Sequence, residues 1–252
     1  MKVVVIGGHT RNIGKTSVMC ALIREFPWLG WTAVKITQYG HGICSRDGQP
    51  CGCAPTEHPF ALTEETNAQG RTDTCRFVAA GARQSLWLRA RQGQLATALP
   101  LLFRRLGDAE WAIIESNSIL EFIEPLLYLV VLDGSRRDFK ASAQKSLARA
   151  DAFISVNMGA STATRGSHHE AVAAFEGSIW PEFKPVRQLQ TLRSKPLFPV
   201  SATQYWSAGI ARFVRSKLDE AIARSSHPAV RPAEVARVAG RGTSDRKETR
   251  GA

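Results

Sequence analysis

The sequence contains no apolar run near the roughly 18 residues that a membrane-spanning helix requires. The apolar part of its opening stretch, Met1–Gly8, is also too short for the core of a secretory signal peptide. These two absences predict a cytoplasmic protein that does not contact a membrane. In a reducing compartment five cysteines do not form a disulfide framework, so their clustering indicates a metal site, redox chemistry or chance.

Acidic residues are scarce relative to basic ones, with 22 Asp and Glu against 33 Lys and Arg, which gives a net charge of +11. This excess favours polyanionic partners such as nucleotides, nucleic acid or acidic lipid, although charge alone selects none of them. The interleaved basic and aromatic residues of the common nucleic-acid-binding modules are absent. Nucleic acid is therefore a minor alternative.

Large hydrophobic residues are nearly absent from residues 226–252, a stretch in which six basic residues face three acidic ones. Such a stretch cannot bury enough apolar surface to offset the entropy lost on ordering. We predict that this stretch is a disordered basic tail. We also predict that residues 1–225 form one domain, because a chain that is 44% hydrophobic contains enough apolar residues for a core.

Short apolar runs alternate with helical patterns along the proposed domain. Val3–Ile6 predicts a first strand, and apolar residues recur at helical spacing over Lys15–Phe26. Further strands are predicted at Thr32–Thr37, Ser85–Arg89, Trp111–Glu115, Leu126–Leu132, Ala152–Val156 and Leu197–Ser201, and further helices at Leu95–Leu106, Phe139–Arg149 and Gln204–Ala223. The alternation favours an α/β fold of three layers, in which helices cover both faces of a mostly parallel sheet.

One segment departs from this alternation. Between Gly40 and about Gly70 the sequence shows no strand or helix pattern, but it holds many turn residues and three cysteines. A loop of this length inside a compact domain is usually functional or held by cross-links. We therefore predict a Cys-rich inserted loop at about 40–70.

The strongest motif directly follows the first predicted strand and opens the first helix. It reads Gly8-His9-Thr10-Arg11-Asn12-Ile13-Gly14-Lys15-Thr16-Ser17, one residue longer between its glycines than the common phosphate-binding loop, or P-loop. Backbone N–H groups of such a loop and the positive end of the helix surround phosphate oxygens. Lys15 is expected to reach the β and γ phosphates, and the Thr16 hydroxyl to ligate Mg²⁺.

The loop, with its internal Thr10, resembles that of dethiobiotin synthetase and the cobyrinic acid amide synthases, within the signal-recognition-particle/MinD/BioD class of P-loop NTPases. Two later stretches are similar to the molybdopterin-guanine dinucleotide biosynthesis protein B (MobB) family. They are Lys35 at the end of the second strand, and Gly70–Arg76 followed by Ala80-Gly81-Ala82. The resemblance extends over roughly residues 1–133 and implies the P-loop NTPase fold for the domain.

Three further polar groups fall where α/β folds bind ligands. Lys35 lies at the carboxyl end of a strand. We expect it to contact a phosphate or a carboxylate of a second substrate; the alternative is a solvated lysine at the edge of the sheet. Asp73 and Arg76 either bind metal-nucleotide or begin a helix as an ordinary cap. Glu115 ends an apolar strand, and we expect it to hold Mg²⁺ or to orient the attacking group. The MobB family usually has Glu-Gly at this point, whereas Ser116-Asn117 follows the acid here.

The residues that would select the base are less distinct. The resemblance implies that Asn157, after the strand Ala152–Val156, bonds the base, and that the loop beginning at Ser201 closes over it. A guanine-reading Asn-Lys-x-Asp is absent. The preference for GTP or ATP therefore stays open, and an ordinary polar turn also explains Asn157.

The Cys-rich loop offers a second candidate centre. Cys44, Cys51 and Cys53 lie within ten residues, and His41 or His58 would complete a tetrahedral set of nitrogen and sulfur ligands for Zn²⁺. The spacing is not the paired C-x2-C of zinc ribbons. An Fe–S cluster with Cys75 and unligated cysteines are the alternatives.

Together these features predict a Mg²⁺-dependent nucleoside-triphosphate-binding protein with slow NTPase turnover. The MobB resemblance favours GTP, although no guanine-reading motif carries that preference, and it implies a role in molybdenum-cofactor or related cofactor assembly. A pterin phosphate, a partner protein or a second copy of the chain would be further partners. One alternative is an ATP-dependent ligase or kinase resembling dethiobiotin synthetase, in which Lys35 steers an acceptor carboxylate. Another is a metal-binding module that the nucleotide switches.

Overall fold

The computed structural model describes residues 1–40, 60–136, 138–156 and 194–226. Within these ranges eight strands form one sheet. The strands are β1 (Lys2–Gly8), β2 (Thr32–Tyr39), β3 (Phe60–Glu65), β4 (Gln84–Arg91), β5 (Trp111–Glu115), β6 (Leu127–Asp133), β7 (Ala152–Val156) and β8 (Leu197–Val200). The helices are α1 (Lys15–Glu25), α2 (Asp73–Ala79), α3 (Leu95–Arg105), α4 (Ala141–Ser146) and α5 (Ala208–Ser226).

The sheet has the strand order β3-β4-β2-β5-β1-β6-β7-β8. Every neighbouring pair is parallel except β3 with β4, which is antiparallel. The central strand β1 therefore has β5 on one side and β6 on the other, and the carboxyl ends of all three meet at one edge. Ligands of open parallel sheets bind at such an edge.

Two apolar cores cover the two faces of the sheet. Successive residues of β1 alternate between them, because Val4 and Ile6 face one core and Val5 faces the other. The first core receives buried residues of α1, α2 and α5, and the second receives those of α3. The predicted α/β fold, with a mostly parallel sheet between two helical layers, is confirmed.

The prediction that 40–70 lacks regular structure is wrong at its end, where β3 runs from Phe60 to Glu65. This strand lies at the edge of the sheet, and all its residues are at least partly exposed. It therefore lacks the apolar run of a buried strand, and only its pairing with β4 defines it.

Two helices differ from their predicted bounds. The helix predicted at Phe139–Arg149 is shorter, since α4 ends at Ser146 and the chain continues as a 3-10 turn. The helix predicted from Gln204 begins only at Ala208, because Tyr205 adopts a left-handed φ of 51° in the preceding turn. It ends at Ser226, one residue past the expected domain boundary, and the rest of the predicted tail lies outside the described residues.

In the ranges that the structure describes, no helix is both long enough and apolar enough to cross a bilayer.

A buried isoleucine of β5 provides a test of the core. Ile113 is fully buried, so Ile113→Ala leaves a cavity, and we expect the free energy of unfolding to fall by about 2–5 kcal/mol. Ile222→Ala on α5 is the matched control, because Ile222 is 40% exposed and its loss should cost less than about 1 kcal/mol. Urea denaturation of both variants measures the difference, and equal costs would contradict this core.

Candidate phosphate-binding site

The predicted P-loop lies at the carboxyl edge of the sheet, between the end of β1 at Gly8 and the start of α1 at Lys15. Gly14 caps the helix with a φ of 91°, and Asn12 has a φ of 57°. Both values are left-handed, which glycine and asparagine tolerate better than other residues. The chain thus turns sharply before the helix. The free N–H groups at the start of α1 therefore point toward this edge of the sheet.

The side chains of the loop have different roles. Ile13 is buried and joins the core beneath the loop, so its side chain anchors the loop. The Lys15 ammonium donates to the carbonyl oxygen of Thr10 at 2.8 Å, which holds it across the first half of the loop. Burial lowers the pKa of Lys15; attraction to Glu115 opposes this shift and repulsion by Lys35 adds to it.

The second half of the site is a cluster of charges beside the loop. The Lys35 ammonium on β2 lies 2.6 Å from Oδ2 of Asp73 and 2.6 Å from Oε1 of Glu115. The other carboxylate oxygen of Glu115 accepts a hydrogen bond from the Thr16 hydroxyl at 2.8 Å. Glu115 is only 3% exposed, so its charge needs these partners. We call Thr16, Lys35, Asp73 and Glu115 the acid–lysine cluster.

The pKa shifts in the cluster follow from pairing. Burial alone would lower the pKa of Lys35, but attraction to Glu115 and Asp73 outweighs it and raises the pKa above its ordinary value. Burial would raise the pKa of Asp73, yet Lys35 and hydrogen bonds from Lys35 and Thr16 lower it. Lys35 is therefore a charged partner of two acids at neutral pH.

The remaining predicted residues of α2 also lie at the site. Thr72 caps the helix by accepting from the Cys75 backbone N–H at 3.2 Å, which fixes Asp73 in the first turn. The Arg76 guanidinium donates to the Ser17 hydroxyl at 2.8 Å and lies 3.7 Å from Oδ1 of Asp73. The structure therefore joins the segment 70–76 to the beginning of α1.

Asn117 was not recognised from the sequence as a residue of the site. Its side-chain amide donates to the carbonyl oxygen of Gly8 at 2.8 Å and accepts from the Gly8 N–H at 2.9 Å. A Cβ at Gly7 would overlap the same amide and the Tyr128 ring. Asn117, two residues after Glu115, thus fixes the end of β1.

The loop after β8 contacts the P-loop at its helix end, opposite the end that Asn117 contacts. Ser201 follows the strand, and its hydroxyl accepts from the Gln204 backbone N–H at 3.1 Å. The ring of Tyr205, in the same turn, lies where a Cβ on Gly14 would be. The predicted base-side loop therefore reaches the helix end of the P-loop, whereas Asn157 lies outside the described residues.

A second unrecognised contact involves the first half of the loop. His9 is fully buried, its ring centroid lies 5.3 Å from that of Phe139, and neither of its nitrogens has a hydrogen bond of ordinary geometry. Burial lowers the pKa of His9, and the backbones of Val131 and Arg136 oppose the shift. The imidazole is therefore a neutral packing group.

The proposed zinc ligands His41, Cys44, Cys51 and Cys53, with His58, lie outside the described residues. The described part of the chain contains no group of three or more His, Cys, Asp or Glu arranged around a metal position. The sulfur of Cys75 accepts from Thr72 at 2.9 Å and lies 3.1 Å from a carboxylate oxygen of Glu65. The zinc hypothesis stays a prediction.

No protein-family model matches the chain. No curated protein matches it either. Among solved structures it is similar to HypB from Helicobacter pylori in complex with nickel, with a TM-score of 0.39 and 14% identity over 86% of this chain and 87% of that one.

It is also similar to LpxK from Aquifex aeolicus in complex with ATP, with a TM-score of 0.39 and 14% identity over 79% of this chain. A third similar structure is the signal recognition particle 54 kDa protein from Aeropyrum pernix K1 in complex with GDP, with a TM-score of 0.42 and 14% identity over 89% of this chain. The matched region spans about half of these two proteins, 53% and 48% of their lengths.

Removal of the Lys35 charge should destabilise the fold, because it leaves two acids without their ion-pair partner. We expect Lys35→Met to lower the free energy of unfolding by about 2 kcal/mol, less than for a fully buried pair because Asp73 stays partly exposed. The double variant Lys35→Met/Glu115→Gln should be more stable than Lys35→Met alone, since the buried acid is then neutral. Urea denaturation measures both, and a double variant that is no more stable would refute this charge balance.

Gly14 and Gly93 form a matched pair for testing the contact with Tyr205. Both have left-handed φ values, 91° and 83°, but a Cβ at Gly93 has nothing within 4 Å. Gly93→Ala should therefore cost about 1–2 kcal/mol from the backbone alone, and Gly14→Ala at least about 1 kcal/mol more from overlap with the ring. In a Tyr205→Ala background this excess should vanish. Thermal unfolding measures the wild type, the two glycine variants, Tyr205→Ala and the two double variants, and an excess that persists would contradict the contact.

Proposed function

We propose that this chain is a Mg²⁺-dependent nucleoside-triphosphate-binding protein with slow NTPase activity. One observation carries the proposal: Lys15 and Thr16 open α1 behind a left-handed glycine, and the Thr16 hydroxyl is bonded directly to the Glu115 carboxylate. A strand, a sharp turn with these residues and a following helix is the arrangement that binds phosphates in P-loop proteins.

The oxygen atoms of the cluster suit magnesium. Mg²⁺ prefers hydroxyl, carboxylate and phosphate oxygens. Thr16 and Glu115 present such atoms 2.8 Å apart, and Asp73 is joined to Glu115 through Lys35. Thr16 and Glu115 would hold the ion, with Asp73 beside them. When bound, magnesium neutralises part of the charge that develops on the phosphates.

The other residues position the triphosphate. The N–H groups of the loop and of the first turn of α1 bind its oxygens, and Lys15 balances the charge of the β and γ phosphates. Lys35 lies between Asp73 and Glu115 and forms an ion pair with each. Catalysis by positioning and charge needs no covalent intermediate, and we expect intrinsic turnover to be slow.

The cellular role rests on the sequence resemblance to the MobB family. The stretch that carries it, Gly70–Arg76, supplies Asp73 and Arg76 to the site. We therefore propose a role in molybdenum-cofactor or related cofactor assembly, with GTP as the nucleotide and a pterin phosphate, a partner protein or a second copy of the chain as further partners.

The ligase or kinase alternative assigns Lys35 to an acceptor carboxylate. In the structure the Lys35 ammonium is bonded to two carboxylates of the protein itself. Its charge is thus already balanced, so we rank this function second. A rise in turnover when small carboxylates or amines are added would favour it.

Substitution of the loop lysine tests nucleotide binding. We expect Lys15→Ala to weaken binding of Mg-ATP and Mg-GTP about a hundred-fold or more, since a half-buried charged partner of the phosphates is lost. Lys145→Ala, an exposed lysine of α4, should bind as the wild type does. Calorimetric titration measures each affinity, with the two nucleotides in competition to define the base preference.

Equal affinity of Lys15→Ala and the wild type for both nucleotides would refute the proposed function. Unfolding midpoints of the two variants are the control for folding.

A further inference from the structure

The segment Asp138–Lys140 is attached to the first half of the P-loop at three points. The Thr10 hydroxyl donates to the Asp138 carboxylate. The rings of His9 and Phe139 are in contact, and the Lys140 backbone N–H donates to the carbonyl oxygen of His9 at 2.9 Å. The backbone of Lys140 is therefore fixed to the loop.

This segment approaches the loop from the side opposite the acid–lysine cluster. It follows β6, whereas Glu115 ends β5, and these two strands flank β1 on its two sides. The loop is thus bordered by the cluster on one side and by Lys140 on the other.

Lys140 lies near other positive charges, and its own ammonium forms no ion pair within the described residues. Its side chain is half-buried, and no carboxylate of the described residues lies within salt-bridge distance of its ammonium. Burial lowers the pKa of Lys140 to about 8, and repulsion by Lys15, Arg11 and Lys35 adds to the shift against the attraction of Asp138. Like charges held together in this way are stabilised by a bound anion.

The position of Lys140 along the loop indicates which anion. Lys15 is bonded to Thr10, and the segment 138–140 is bonded to His9 and Thr10 of the same half. Inner phosphates bind at the helix end of a P-loop, whereas its lysine reaches the β and γ phosphates. The terminal phosphate of a bound triphosphate would therefore lie on the side of the loop where Lys140 is.

We propose that Lys140 binds the terminal phosphate of the nucleoside triphosphate from the β6 side of the loop. The inference rests on the proposed function and adds a residue that no motif indicated. The ammonium gives the site a second cation beside Lys15, and this cation distinguishes a triphosphate from a diphosphate.

The test compares Lys140→Met with Lys145→Met, an exposed lysine of the helix that follows. We expect Lys140→Met to weaken Mg-ATP and Mg-GTP about ten- to a hundred-fold, since a hydrogen bond to a charged group is lost. Mg-ADP and Mg-GDP should bind within about two-fold of the wild type. Lys145→Met should change neither, and Lys140→Arg should retain most of the triphosphate affinity.

The pH dependence gives a second readout. Lys140 is charged below about pH 8 and neutral above it, so the triphosphate affinity of the wild type should fall as the pH rises through 8. In Lys140→Met this fall should be smaller, because Lys15, whose pKa is also lowered, is then the remaining lysine at the phosphates. An equal loss for diphosphates and triphosphates, no loss for either, or an undiminished pH dependence in Lys140→Met would overturn the proposal.

Inorganic triphosphate and pyrophosphate separate this inference from the proposed function. If the wild type binds inorganic triphosphate through Lys140 but binds no nucleotide, Lys140 is still a ligand of a terminal phosphate, and the proposed function fails. If it binds nucleotides and Lys140→Met leaves the triphosphate preference intact, the inference alone fails. Unfolding midpoints show whether each variant is folded.

Discussion

The ammonium of Lys35, between the carboxylates of Asp73 and Glu115, is the interaction on which the candidate site depends. A buried carboxylate such as that of Glu115 is costly without compensation. Lys35 on β2 and Thr16 at the start of α1 provide this compensation, and Asp73 on α2 is the second acid bonded to Lys35. These charged contacts therefore connect the sheet to α1 and α2 at the edge where the P-loop lies.

The loop itself is fixed by contacts in its first half and at its helix end. Asn117 bonds both backbone groups of Gly8, the segment 138–140 holds the first half, and Tyr205 packs on Gly14. These contacts come from three different connections of the sheet. A backbone that is held in this way binds phosphate oxygens without first having to be ordered, which favours affinity.

The fold and the centre of the site follow from local patterns, and the rest depends on tertiary contacts. Apolar runs and the loop motif identify β1, β5 and α1 because burial and turn geometry act on neighbouring residues. The edge strand β3 is defined by pairing with β4, and Asn117 and Lys140 reach the loop from distant parts of the chain. Lys35 was expected at a ligand, but its partners are two acids of the protein, which only the folded arrangement shows.

The most direct test of the central claim is the magnesium dependence of triphosphate binding, measured by calorimetry on the wild type and on Glu115→Gln. If the acid–lysine cluster adjoins the phosphates and holds magnesium, the ion should strengthen binding to the wild type, and this gain should be largely lost in Glu115→Gln. The same gain in both proteins would show that Glu115 takes no part in binding the ion. It would contradict the assignment of the cluster as the magnesium site.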